Sequence, residues 1–75
     1  MTIVDVCFRY GMAPDETEMR ALNGVREVYG IRATRFNEKQ RTITVEFDAS
    51  RLNEADVEGL LRRAGLDLKE RIALV

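Results

Sequence analysis

The sequence predicts an α+β domain in which two helices cover one face of a four-stranded antiparallel sheet. Four segments alternate apolar and polar residues, as half-buried strands do. Two further segments carry apolar residues at helical spacing, and a glycine follows each of them. The order is β-α-β-β-α-β, and right-handed crossovers then place the first and third strands in the centre of the sheet. The 75 residues are expected to form one domain, residues 1–75.

The first strand is predicted over residues 2–10, where Val4, Val6 and Phe8 alternate with polar positions. Cys7 falls on the opposite face, so we expect its thiol to be partly exposed on the open side of the sheet.

The first helix is predicted to begin at Pro14, with three acidic residues in its first turn that suit the positive end of the helix dipole. Gly30 is expected to end it, and Gly24 weakens it by about 1 kcal/mol relative to alanine. Gly24 either allows a strand to approach closely or is a defect. The predicted apolar stripe is Ala21, Leu22, Val25 and Val28.

The second and third strands are predicted over residues 31–37 and 41–48, joined by a polar hairpin connection. Thr34 and Phe36 are the expected inward pair of the second strand. The third strand has the clearest alternation, and its inward residues are Ile43, Val45 and Phe47.

The second helix has a better defined start, because Asn53 can cap it and Leu52 can pack against Val57. Gly65 is expected to end it. Its predicted apolar stripe is Val57, Leu60, Leu61 and Ala64. The last strand is predicted over residues 68–75, and its inward residues are Leu68, Ile72 and Leu74.

Five short motifs along the chain, taken with their spacing, point to a known family. They are Gly11-Met12 after the first strand, Gly30-Ile31 before the second, the third strand from Thr42 to Phe47-Asp48, Asn53-Glu54-Ala55-Asp56 at the second helix, and Ala64-Gly65-Leu66 at its end. Together they resemble the heavy-metal-associated (HMA) domains, the copper-chaperone-like modules. That resemblance implies a ferredoxin-like two-layer fold and a link to metal homeostasis.

The chain departs from that family at two places. The family carries Gly-Met-Thr-Cys-x-x-Cys, whereas Pro14 and Thr17 stand here at the two cysteine positions. The resemblance therefore assigns no residue of this chain as a metal ligand. The family also has an inward apolar residue where this chain has Arg9. Burying an unpaired charge is costly, so we expect a bulge or a one-residue register shift near Tyr10.

Composition excludes several classes of function. One cysteine and no histidine leave no internal disulfide and no conventional zinc or copper cage. A net charge of -1 gives no reason to expect a nucleic-acid or membrane partner. There is no histidine base, activated nucleophile or glycine-rich phosphate loop, so we expect neither an enzyme nor a bound cofactor. Without an apolar leader or spanning segment, the expected location is the reducing cytoplasm.

The leading hypothesis is a non-enzymatic interaction or regulatory module that docks a protein partner or a second copy of itself. Its expected surface lies around the loop after the first strand: Met12, Ala13, Pro14, Asp15, Glu16 and Arg20. Met12 itself is expected to pack into the core beneath this loop. The alternative hypothesis is a metal-trafficking protein that binds copper(I) or zinc through Cys7, with Met12, in a dimer. A third is a small accessory subunit ordered by a larger complex.

The open face of the sheet is expected to carry an excess of positive charge. Its expected residues are Asp5, Cys7, Arg9, Arg35, Thr42, Thr44, Glu46, Lys69 and Arg71.

Overall fold

The computed structural model describes residues 2–73 and has the predicted order of elements. They are β1 (Ile3–Tyr10), α1 (Glu16–Val25), β2 (Ile31–Asn37), β3 (Thr42–Asp48), α2 (Glu54–Arg63) and β4 (Leu68–Ile72). The sheet order is β2-β3-β1-β4, and each neighbouring pair is antiparallel. The ferredoxin-like α+β fold, with β1 and β3 in the centre, is therefore confirmed.

The core lies between the sheet and the helices, and the central strands β1 and β3 each contribute three buried apolar side chains to it. Ile43, Val45 and Phe47 are at most 1% exposed, as their alternation predicted. They pair in register with apolar residues of β1 and with Thr34 and Phe36 of β2. The remaining buried apolar residues are Val6, Phe8, Tyr10, Leu22, Val25, Ile31, Val57, Leu61, Leu66 and Leu68. Val4 was also predicted to face inward, but at 37% exposed it contributes little to the core.

Arg9 lies outside the core. Val6, Phe8 and Tyr10 face the core, and Arg9 is exposed and forms an ion pair of 2.8 Å with Glu70. The pairing of β1 with β3 is regular through Arg9, so the unbroken alternation of β1 is what keeps the guanidinium in solvent. The irregularity expected near Tyr10 is found in the pairing of β1 with β4, where β4 carries the extra residue between the partners of Phe8 and Tyr10.

The irregular pairing also changes which side chains of β4 face the helices. Ile72 lies opposite Cys7, and therefore on the open face rather than inward as predicted. Arg71 lies opposite Phe8 and reaches Glu54 of α2 at 2.7 Å, so it belongs to the helix side and its predicted place on the open face is wrong. The predicted residues Leu74 and Val75 lie outside the described residues.

The start of α1 differs from the prediction by two residues. Asp15 is the N-cap, and Pro14 precedes it instead of opening the helix. Asp15 Oδ1 accepts a hydrogen bond of 2.8 Å from the Glu18 amide, and Glu18 Oε1 accepts one of 2.9 Å from the Asp15 amide. This reciprocal pair is a capping box, which satisfies two amides that the helix leaves unpaired.

The buried face and the end of α1 also correct the sequence-based prediction. Ala21 is exposed, and Met19 packs on the core together with Leu22 and Val25. The helix ends at Val25, five residues before Gly30, and a turn carries the chain to β2.

The second helix follows its prediction closely. Asn53 caps α2 by accepting a hydrogen bond of 2.8 Å from the Asp56 amide, and Leu52 packs on the core. Val57 and Leu61 are fully buried, with Leu60 half-buried beside them. Gly65 ends the helical segment with a φ of +99°, a conformation that favours glycine.

Asp48 organises the connection between β3 and α2. Its Oδ1 accepts hydrogen bonds from the Ser50 hydroxyl at 2.6 Å and from the Ser50 amide at 3.0 Å. These bonds, helped by the Thr2 amide and the Arg51 guanidinium, lower the pKa of Asp48 below its ordinary value, although its burial opposes the shift. The ionised carboxylate thus holds the turn together.

Candidate functional site

The loop over residues 11–15 joins β1 to α1. Backbone hydrogen bonds fix its first residues against two distant segments. The Tyr10 amide donates to the Arg41 carbonyl at 2.9 Å, and the Gly11 amide donates to the Asp67 carbonyl at 2.9 Å. The loop is therefore held by the β2–β3 hairpin on one side and by the α2–β4 connection on the other.

Asp67 contributes its side chain as well as its carbonyl. Its Oδ2 accepts a hydrogen bond of 3.1 Å from the Met12 amide. A Cβ added at Gly11 would come within 2.5 Å of Asp67 Oδ2 and 2.6 Å of Lys69 Cε. Glycine at this position thus lets the loop lie directly against Asp67 and Lys69.

Arg41 is the second residue that supports the loop. Its Nη1 donates a hydrogen bond of 3.0 Å to the Gly11 carbonyl. Arg41 has a φ of +55°, so it ends the hairpin turn, and β3 begins one residue later than predicted. No local sequence pattern predicts the role of Arg41 or Asp67, because they lie 30 and 55 residues from the loop positions that they contact.

Met12 is exposed, and the prediction that it packs into the core is wrong. The residue is 74% exposed at the tip of the loop. Tyr10, two residues before Met12, faces the core, and its pairing partner Leu68 in β4 is buried with it. A large apolar side chain is thus left in solvent beside an otherwise well-ordered loop.

An open groove of about 500 Å³ lies next to the loop. Its walls include Ala13 and Pro14 from the loop and Met19 from α1. Tyr10 and Phe36 form its base, with their rings edge to face and their centroids 6.0 Å apart. The polar side chains of Glu38 and Arg41 complete the lining.

The remaining predicted surface residues lie at the start of α1. The Asp15 carboxylate caps the N-terminus of α1. Glu16 and Arg20 form an ion pair of 3.2 Å, with their side chains 84% and 79% exposed. Such an exposed pair contributes little to stability, so both charges remain free to meet a partner.

Cys7 lies on the predicted face of β1, but the expectation that it is partly exposed is wrong. It is buried, with 6% of its surface exposed, between Thr44 of β3 and Ile72 of β4. A small side chain in a central strand is shielded by the longer side chains around it, and Thr42 on the same face is buried in the same way at 7%.

The structure does not bring Cys7 and Met12 together. Tyr10, the last strand residue before the loop, lies three residues from Cys7, or about 10 Å along an extended strand. Met12 is beyond that point, at the tip of the loop. Across residues 2–73, no cluster of three or more cysteine, histidine or acidic side chains could hold a metal ion.

Ion pairs cross the open face of the sheet and offset its predicted excess of positive charge. Arg35 approaches Asp5 at 3.7 Å and Glu46 at 3.8 Å, and Arg32 also approaches Glu46 at 3.7 Å. The face thus presents a mixture of paired charges rather than a basic patch.

Among residues 2–73, no helix is both long enough and apolar enough to cross a membrane. The chain matches no protein-family model, and no curated protein matches it significantly.

Proposed function

We propose that this protein is a non-enzymatic module of the HMA type in which the former metal loop serves as a docking surface for a protein. Its role is regulatory, in the cytoplasm, and connected with metal homeostasis through the resemblance of its sequence. The docking surface consists of Met12, Ala13, Pro14, Asp15, Glu16 and Arg20.

The exposure of Met12 is the observation that carries the proposal. Met12 stands next in sequence to Ala13 and Pro14, which line an apolar groove, and contiguous exposed apolar surface of this kind marks sites where proteins bind one another. Methionine suits such a position because its flexible thioether adapts to the shape of a partner. The Met12 amide donates a hydrogen bond to Asp67 and Arg41 donates one to the Gly11 carbonyl, and these bonds hold the loop backbone in place, so little conformational freedom is lost on docking.

The groove next to the Met12 loop gives the docking surface a concave part into which a partner can insert a side chain. Tyr10, Phe36 and Met19 give it an apolar lining, and its volume of about 500 Å³ can take an apolar anchor side chain from a partner. Glu16 and Arg20 stand outside the groove, where rim charges guide association and selectivity more than they add affinity.

The burial of Cys7 makes the docking role the better supported of the two hypotheses. A thiolate must reach the surface to bridge two chains through copper(I) or zinc, and one thiolate needs a second soft donor. Cys7 is 6% exposed, and Met12 lies outside its reach within one chain.

Affinity capture with three tagged variants tests the proposal. The wild type is compared with Met12→Asp, and Tyr29→Asp is the matched control because Tyr29 is equally exposed, at 74%. We expect at least one protein, or a second copy of the chain, to be retained by wild type and Tyr29→Asp and lost with Met12→Asp. Identical retention by all three would overturn the proposal, as would a wild type that retains nothing and sediments as a monomer.

A further inference from the structure

A second groove, of about 400 Å³, lies at the opposite end of the sheet from the loop. It is formed by the turn between α1 and β2, the first residues of β2, and the connection after β3. Its volume is in the range typical of small-molecule sites.

Three arginines line this groove: Arg26, Arg32 and Arg51. Two carboxylates also line it, those of Glu27 and Asp48. Asp48 keeps its charge while it accepts hydrogen bonds from the hydroxyl and amide of Ser50, so three guanidinium groups face two carboxylates in the groove. The groove is therefore locally positive on a chain whose net charge is -1.

Two of the arginines are held only loosely by acidic neighbours. Arg51 approaches Asp48 through its Nε at 3.5 Å, and its side chain remains 49% exposed. Arg32 approaches Glu46 at 3.7 Å and is 55% exposed. Both distances exceed those of short charge-assisted hydrogen bonds, so an anionic ligand can compete for these guanidinium groups.

Tyr29 presents an aromatic ring at the edge of the groove. The Arg51 guanidinium lies over the ring at 4.2 Å from its centroid, which fixes the ring by a cation–π contact. Tyr29 is nevertheless 74% exposed, so much of the ring is open to a planar group. The backbone amides of Tyr29 and Gly30 donate no hydrogen bond to any group within residues 2–73, which leaves two further donors beside the ring.

We propose that this groove binds a small phosphate-bearing molecule with a planar ring, of the nucleotide class. The phosphate oxygens accept hydrogen bonds from the guanidinium groups of Arg26 and Arg32. The planar ring stacks on the exposed face of Tyr29. The site is separate from the docking surface, so it would allow a ligand to bind without occupying the loop around Met12.

The test is a titration of the ¹⁵N-labelled full chain, followed by NMR, with AMP and UMP as probes and with inorganic phosphate and adenosine in parallel. We expect saturable shifts at the amides of Tyr29 and Gly30. Either nucleotide should bind about tenfold more tightly than phosphate alone, because ring and phosphate contacts combine.

Variants assign the binding to this groove. Arg26→Gln and Arg32→Gln should each weaken nucleotide binding about tenfold, the usual effect of losing a charge-assisted hydrogen bond. Tyr29→Leu should remove the advantage of the nucleotides over phosphate. Arg63→Gln, at the end of α2 and outside both proposed sites, is the control and should bind normally. All four positions are exposed, so the spectra can confirm that each variant is folded.

Three results would overturn the proposal. They are no saturable shift with either nucleotide, equal affinity for nucleotide and phosphate, or full affinity retained in both arginine variants. Docking at the Met12 loop is tested by a separate affinity-capture experiment. The docking proposal and the nucleotide-binding proposal can therefore fail independently.

Discussion

Replacing Gly24 with alanine should stabilise the protein. Gly24 lies near the end of α1, where glycine has more conformational freedom to lose on folding than alanine. A Cβ added at Gly24 would meet no heavy atom within 4 Å outside its immediate surroundings. Of the two explanations that the sequence left open for this glycine, the structure therefore favours a defect over a close approach by a strand.

The size of the effect follows from helix propensity and chain length. Gly→Ala in a helix contributes about 0.5–1 kcal/mol. For a chain of 75 residues, unfolding entropies of about 2.1 cal/mol/K per residue convert this gain to a rise in Tm of about 3–6 °C. Thermal unfolding followed by circular dichroism measures the shift, and urea unfolding should give a higher midpoint with an unchanged slope.

Gly30→Ala is the matched control, because the same substitution should act in the opposite direction there. Gly30 has a φ of +104°, and an added Cβ would come within 2.9 Å of Leu52 Cδ1. The left-handed conformation alone should cost about 1–2 kcal/mol. A Gly24→Ala variant with a lower Tm than wild type would refute the reasoning. It would mean that the methyl group disturbs the folded protein although the space around residue 24 is open.

Four further predictions concern single side chains. Leu61→Ala removes a fully buried residue and should lower the free energy of unfolding by about 2–5 kcal/mol in urea titrations. The buried Cys7 thiol should react with a thiol reagent far more slowly in the native protein than in denaturant, and equal rates would contradict its burial. The pKa of Asp48 is lowered in the folded protein, so its ionised carboxylate stabilises the fold at pH values above the unfolded-state pKa near 3.8. This stabilisation is lost as the pH falls through the folded-state pKa. Unfolding measured as a function of pH should therefore show that wild type is more stable than Asp48→Asn above pH 3.8 and loses this difference in acid. Asp67→Ala should speed hydrogen exchange at the Met12 amide, and unchanged exchange would show that the side-chain bond does not hold the loop.

The alternation of residues along the chain was enough to predict the fold, because each strand segment has one clearly apolar face. The β-α-β-β-α-β order with right-handed crossovers placed β1 and β3 in the centre of the sheet, and both strands are central. The outward position of Arg9 was also predictable, since an inward Arg9 would have buried a charge.

The errors in the prediction arise from contacts between distant segments. The irregular pairing of β1 with β4 moved Arg71 to the helix side and Ile72 to the open face, and no local pattern in β4 signals this. Met12 lies in solvent, while Tyr10, the last residue of β1, is buried in the core. The support of the loop by Asp67 and Arg41 depends on folding that brings them together across 55 and 30 residues.

Our central proposal is that this ferredoxin-like chain acts through docking at the Met12 loop and carries no metal through Cys7. The most direct measurement is a titration of the reduced full chain with copper(I) and with zinc against a competing chelator, with the mass recorded under native conditions. We predict that neither metal is retained against the chelator by wild type or by Cys7→Ser. Retention of about half a metal ion per chain, with a dimer mass that Cys7→Ser abolishes, would contradict the claim and place Cys7 in a metal-bridged dimer.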